Sequence, residues 1–333
     1  MSRSRKFVSL GMFIIDEFAF LDYAGNPTGR ALDPQEGIGG GGTYANIGAR
    51  LWLPPSETGM IVDKGIDFPP EIDAALKAYG EDMWLFRDQS PAGTTRALNR
   101  YKGDHRGFQY LTPRLRITPS LSRPATLHFI CSPTRAAVIV SQVAQVEDWS
   151  PISVYEPIPD RCIPEELPAL RDVLPLISVL SPNAEEALAL LADPSPVSKS
   201  SIERACKSFL DFGVGPGGTG SVVIRSGSLG VYVASRSQSG AWIDAYWRTE
   251  GRVVDVTGAG NSFLGGLAAG LVLTNGDVFE AALYGTVSAS YTVEQLGLPK
   301  ITRTSEDVRN EEWNGDSPWG RLHELKARGI RAG

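Results

Sequence analysis

The sequence predicts an α/β protein, a mostly parallel central sheet with helices on both faces and a small β lid. Three observations carry that reading. From about residue 125, short apolar stretches alternate with helical ones. The stretch VVDVTGAGNSFLGGLAAGLVL, Val253 to Leu273, reads as a strand end, a glycine-rich turn and a helix of small residues. Two early hairpin-like segments do not fit a parallel sheet. They are expected to cover the C-terminal ends of the strands, where ligands bind in such folds.

Taken in order, Phe7 to Ile15 is short, apolar and bounded by charge, as a central buried strand should be. The stretch after it alternates around Gly25-Asn26-Pro27 and reads as a hairpin. Gly39 to Gly42 is a glycine run, and Thr43 to Trp52 then has helical character until Pro54 and Pro55 end it. Thr94 to Tyr101 and Phe108 to Leu111 flank KGDHRG, a second hairpin signal. Further on, LHFICS, ISVYEP and SVVIRSG read as strands, while AEEALALLA and SIERACKSFLDFG read as helices. VYVAS and AWIDAYWR look antiparallel, and FEAALYGTVSASYTVEQLG closes the pattern as a helix. The expected organisation is one α/β domain over residues 1–301, with lid segments near 17–36 and 94–111. A polar tail, 302–333, packs on it through Trp313 and Trp319.

Composition narrows the function. The chain has 333 residues, 42% hydrophobic and 21% charged, and a net charge of −6. A mildly acidic balance gives no overall pull toward nucleic acid or anionic membrane, so neither is an expected partner. No apolar stretch reaches the roughly 18–20 residues of a membrane span. The basic N-terminus is read as leading into a strand, since Asp16 and Glu17 break the apolar run and no small-residue cleavage site follows. Three scattered cysteines, Cys131, Cys162 and Cys206, fit a reducing compartment better than a disulfide scaffold. The expected location is cytoplasmic, with the nucleus left open.

The glycine-rich turn carries the chemistry. Gly258, Ala259 and Gly260 let successive backbone N–H groups approach an anion, and the helix that follows adds its positive end. Such a device holds a phosphoryl group. Each neighbouring signal has a plainer explanation beside it. Gly41 and Gly42 could simply make a tight turn, Asp16 could be a turn residue, and Glu186 stands in a helical first turn that favours acids. Gly265 and Gly266 serve close helix packing. The three histidines form no cluster, and Arg96, Arg100 and Arg106 read as a solvated face.

Five stretches together resemble the ribokinase or PfkB family of carbohydrate kinases over residues 7 to about 300. Its D-T-x-G-A-G-D appears as Asp255-Val256-Thr257-Gly258-Ala259-Gly260-Asn261, and its G-G-x-x-x-N as Gly41-Gly42-Thr43-Tyr44-Ala45-Asn46. A strand-end Gly followed by a substrate Asp appears as Gly11 and Asp16. P-N-x-x-E appears as Pro182-Asn183-Ala184-Glu185-Glu186, and G-x-x-G as Gly227-Ser228-Leu229-Gly230.

The resemblance implies a ribokinase-like fold and phosphoryl transfer from ATP, with Mg²⁺, to a hydroxyl of a sugar, nucleoside or related small alcohol. It implies catalytic roles at Asn261, Gly258, Ala259 and Gly260, and substrate contacts at Asp16, Gly41, Gly42 and Asn46. Nucleotide contacts are implied at Asn183, Arg225, Gly227, Gly230, Asp255 and Thr257, and magnesium at Glu186 through water. A homodimer is left open.

Three departures stand out. Asn261 replaces the catalytic Asp, Glu156 replaces a more usual Asp, and Val256 replaces a Thr. A fungal, maintenance-of-killer-like branch of the family carries Asn at the first of these places. An amide takes up no proton near neutral pH, and losing a general base typically costs ~10²–10⁴ in rate. Asp255 could stand in through water. The expectation is therefore a slow kinase. The alternative is a silent relative that binds nucleotide or sugar as a sensor or partner.

Overall fold

The computed structural model describes residues 5–29, 37–102, 105–112, 123–248, 251–329 and 331–332. Ten strands form one sheet. Their spatial order is Arg331–Ala332, Ala241–Ile243, Val231–Ser235, Ser221–Arg225, Val179–Leu180, Ile152–Pro157, Thr126–Cys131, Phe7–Ser9, Met60–Lys64 and Trp84–Asp88. From Ser221–Arg225 to Trp84–Asp88 every neighbouring pair is parallel. The remaining three strands are added antiparallel at one side.

The central strands are buried on both faces, which is why they read as continuous apolar runs. Along Ser221–Arg225, side chains alternate between two cores. Val223 packs with Ile47, Leu264 and Leu267 on one face. Val222 and Ile224 pack with Phe129, Leu188 and Phe209 on the other. The first face is covered by helices Gly41–Arg50, Ala259–Leu273 and Val278–Thr292. Small residues let these three approach closely. A Cβ on Gly265 would overlap the Ala45 carbonyl, and one on Gly266 the Ser288 hydroxyl.

Two expectations are corrected. Phe7 to Ile15 is not one strand. Phe7–Ser9 belongs to the large sheet, and the chain then leaves it at Gly11, whose Cα lies so close to Gly42 that a Cβ would overlap the Gly42 backbone. Ile14–Leu21 belongs instead to a four-stranded sheet of order Ile38–Gly39, Ile14–Leu21, Arg96–Lys102, His105–Tyr110. The first hairpin is also revised. Ile14–Leu21 finds its main partner in Arg96–Lys102, parallel, with Ile15 opposite Arg96. Around Asn26 the chain turns back as a brief hairpin, with Leu21 antiparallel to Pro27 and the Thr28 N–H donating to the Phe20 carbonyl at 2.9 Å. Part of that expected segment, 30–36, lies outside the described residues.

The second hairpin is present, with Ala97 opposite Tyr110. Arg96 at its start is ion-paired to Asp67 and Glu17, Arg100 is exposed, and the Arg106 side chain lies outside the described residues. The sequence reading did not resolve Met60–Lys64, Pro70–Lys77, Trp84–Asp88 or the tail helix Pro318–Arg328. No described helix is long and apolar enough to cross a membrane.

Candidate phosphoryl-transfer site

The site is built on the N-terminus of the Ala259–Leu273 helix. Gly258 precedes it with φ 77°, in the left-handed region, and a Cβ there would overlap the Tyr44 ring. Both facts demand glycine. The turn is braced from behind by Asp255, whose Oδ1 accepts from the Thr257 hydroxyl at 2.9 Å and the Thr257 N–H at 3.2 Å. The first intrahelical bond runs from the Ser262 N–H to the Gly258 carbonyl at 2.8 Å, so the preceding amides have no helical acceptor. The Ala259 N–H returns to the Val256 carbonyl at 3.2 Å. Gly260 and Asn261 are thus the first-turn donors left for an anion, reinforced by the helix dipole.

One cavity of about 960 Å³ reaches this turn. Asp16, Gly41, Tyr44, Glu156, Gly258 and Asn261 line it. Residues from the two sheets and from two helix N-termini therefore face one space. Tyr110, from the second hairpin, lines it too.

Behind the cavity wall runs a charged network. Asn183 caps the helix Ala184–Leu190, its Oδ1 accepting from the Glu186 N–H at 2.8 Å, while Glu186 Oε2 accepts from the Asn183 N–H at 2.8 Å. This capping box turns Glu186 toward Arg225, whose Nη2 lies 3.7 Å from Oε2. The same Nη2 donates to Glu156 Oε1 at 2.7 Å and to the Ser181 carbonyl at 3.0 Å. Glu156 Oε2 then accepts from Asn261 Nδ2 at 2.7 Å. His128 Nε2 lies 3.9 Å from that carboxylate, and its Nδ1 is 3.0 Å from the Ser9 hydroxyl.

These contacts set the two carboxyls apart. Burial works to raise Glu156, but the Arg225 guanidinium, with His128 beside it, holds it below its ordinary value. Burial pushes Glu186 up to about 7, against the pull of Arg225 and with the push of Glu156. A magnesium ion ligated directly by protein carboxylates does not fit this arrangement. Glu186 Oε2 already caps a helix and faces a guanidinium, and no group of three His, Cys, Asp or Glu side chains able to hold a metal occurs among the described residues. A dication and a monocation about 5 Å apart repel by roughly 7 kcal/mol at an effective dielectric near 20.

The sequence-predicted residues therefore divide. Asp16, Gly41, Thr257, Gly258 and Asn261 meet at the cavity. Gly42 packs its backbone on Gly11. Asn46 is fully buried, its Nδ2 donating to the Met83 carbonyl at 3.3 Å, and so turns away from the cavity. Asn183, Glu186 and Arg225 form the wall behind, and Gly227 and Gly230 close a tight loop after the Arg225 strand. Sequence reasoning missed Tyr44, Tyr110, Arg135 and Arg161 as cavity residues. It noted Glu156 as a departure without giving it a place. The signal available was that Glu156 and Asn261 depart from the family pattern together. Cys131 also lines the cavity, but burial raises its thiol to about 12, so it is not a nucleophile at neutral pH.

Comparison with known proteins agrees with the fold. The model of the pfkB family carbohydrate kinases matches residues 141–303. An uncharacterized protein of Schizosaccharomyces pombe is 34% identical, over 97% of this chain and 93% of its own length. Protein MAK32 of Saccharomyces cerevisiae is 31% identical, over 92% of this chain and 88% of its own length. Among solved structures, ribokinase from Giardia lamblia has a TM-score of 0.70 at 20% identity, covering 88% of this chain and 96% of that one. Ribokinase from Arabidopsis thaliana, complexed with ribose and ATP, has a TM-score of 0.65 at 17% identity, covering 97% and 99%. At those identities the likeness to the structures is one of fold. The chain belongs to the PfkB family of carbohydrate kinases, in a branch that it shares with the two yeast proteins.

Proposed function

We propose that the chain transfers the terminal phosphoryl group of ATP to a hydroxyl of a sugar, nucleoside or related small alcohol, slowly. The single observation that carries this reading is the shared cavity. Asp16, an acceptor for substrate hydroxyls, and the Gly258–Asn261 turn, a phosphoryl binder, line the same space. Phosphoryl transfer needs positioning and charge stabilisation more than covalent help, and both are supported here. The slowness follows from Asn261. Its Nδ2 is engaged by Glu156, so the amide oxygen is left to orient a hydroxyl without taking its proton. Glu156 is a poor base, because Arg225 holds its carboxyl low. Magnesium is left out of this reading, since Glu186 is already committed to Arg225 and the helix cap.

The Asn261–Glu156 bond also favours a second reading, a protein that binds nucleotide or sugar and transfers nothing. ADP formation across a panel of sugars and nucleosides separates the two. Turnover on at least one acceptor, above the rate with ATP alone, is expected. ADP binding without turnover on any acceptor would establish the silent reading, and absence of purine nucleotide binding would refute both phosphoryl transfer and nucleotide sensing.

A further inference from the structure

We propose that Arg225 is the resident cation of the phosphate site, and that the site holds a nucleoside di- or triphosphate without a divalent metal. This rests on the nucleotide-binding reading above and deepens it by naming what neutralises the phosphates.

The argument starts from where the guanidinium lies. Its Nη1 is packed so close to Gly260 that a Cβ at that position would overlap it. Gly260 is the second residue of the helix whose N-terminus faces the cavity. A planar, permanently charged group therefore stands beside the free amides of a helix first turn. That pairing suits phosphate oxygens better than either part alone.

The guanidinium also has capacity to spare. Nη2 makes both of its hydrogen bonds, to Glu156 and to the Ser181 carbonyl. Nε is buried with no hydrogen-bond partner among the described residues. Leaving a buried donor unmade is costly, so the fork is not satisfied by the protein around it. Its position is fixed all the same, because Glu156, which also holds Asn261 of the turn, and Glu186 lie against it.

The charge pattern points the same way. Asn261, the network residue on the turn, is neutral, and Glu156, which also lines the cavity, is tied to both Asn261 and Arg225. A phosphate at the turn thus meets backbone donors with the guanidinium close behind them. A divalent ion at Glu186 would stand beside a guanidinium whose Nη2 is 3.7 Å from Oε2.

The test uses the full chain with ADP as probe, measured by calorimetry in EDTA and again in excess MgCl₂. The affinity for ADP is expected to differ by less than about threefold between the two buffers. Arg225→Lys keeps a charge and loses the fork. It is expected to weaken ADP binding in EDTA by about tenfold or more with its thermal midpoint little changed. ADP binding that requires magnesium would overturn the proposal and leave the nucleotide-binding reading standing. Unchanged affinity of a folded Arg225→Lys in EDTA would also overturn it. No binding of ADP in either buffer would overturn the proposal and the reading beneath it together. Should Arg225→Lys fail to fold, the comparison of the two buffers on the natural chain decides.

Discussion

Asn261 Nδ2 donates to Glu156 Oε2 at 2.7 Å. A carboxylate at position 261 could only accept there unless protonated, and two carboxylates at that distance cannot both ionise easily. Asn261→Asp alone therefore introduces a like-charge contact along with the missing base. Glu186 shows the opposite balance at the far end of the same network. Its carboxyl is raised to about 7 when folded, above its ordinary 4.5. Between those values the folded state binds a proton that the unfolded state does not, so this group makes stability fall as pH rises from about 4.5 to about 7. Glu186→Gln keeps a side chain able to close the capping box and removes the titration. Its stability should decline less than that of the natural chain between pH 5 and 7, by roughly 1.4 kcal/mol for each unit of the raised pKa. Urea midpoints across that range check it. Parallel curves for the two proteins would count against a raised Glu186.

The elements most legible in the sequence were those whose local signals agree with their surroundings. The Ala259–Leu273 helix is one, because its glycines must be small both at the turn and against the Gly41–Arg50 helix. The Ala184–Leu190 helix is another, where the AEEALALLA pattern agrees with the Asn183–Glu186 cap that the structure shows. What misled was the apolar run Phe7 to Ile15, since both halves are buried, in two different sheets. Apolar periodicity reports burial and does not say against what. Asn46 was misplaced for a related reason. Its position fits the family pattern, but the helix turns it onto Met83.

The tail was read as polar, and what holds it is itself polar. Arg50 and Glu311 form a two-pronged pair, 2.7 Å at each contact, with both side chains buried. Trp313 is fully buried, and Trp319 packs edge-on against Trp52 at 5.4 Å. Removing one partner of such a pair leaves an uncompensated buried charge, at a typical cost of about 3–5 kcal/mol. Glu311→Gln should lower the denaturant midpoint accordingly. A loss under about 1 kcal/mol, the worth of an exposed pair, would mean that the tail is not clamped there.

Across the whole molecule, the large sheet and its helices set a glycine turn at a helix N-terminus opposite a smaller sheet, with a cavity between them. Onto that family frame the chain places an altered pair. The position where the family carries its catalytic carboxylate holds an amide, and a carboxylate stands directly behind, bound to Arg225. The central claim is that Asn261 and Glu156 work as a unit, so that a base can be restored at position 261 only when the charge at position 156 is removed. In the double variant Asn261→Asp/Glu156→Gln, the introduced amide can donate to the introduced carboxylate and still accept from Arg225. The measurement is ADP formation on the best acceptor by the natural chain, the two single variants and the double variant. The account predicts that Asn261→Asp alone gains little or loses activity. The double variant should exceed both singles by about tenfold or more in kcat, within the range that a general base supplies. A full gain from Asn261→Asp alone, unaltered by Glu156→Gln, would show the two positions to be independent and contradict the account.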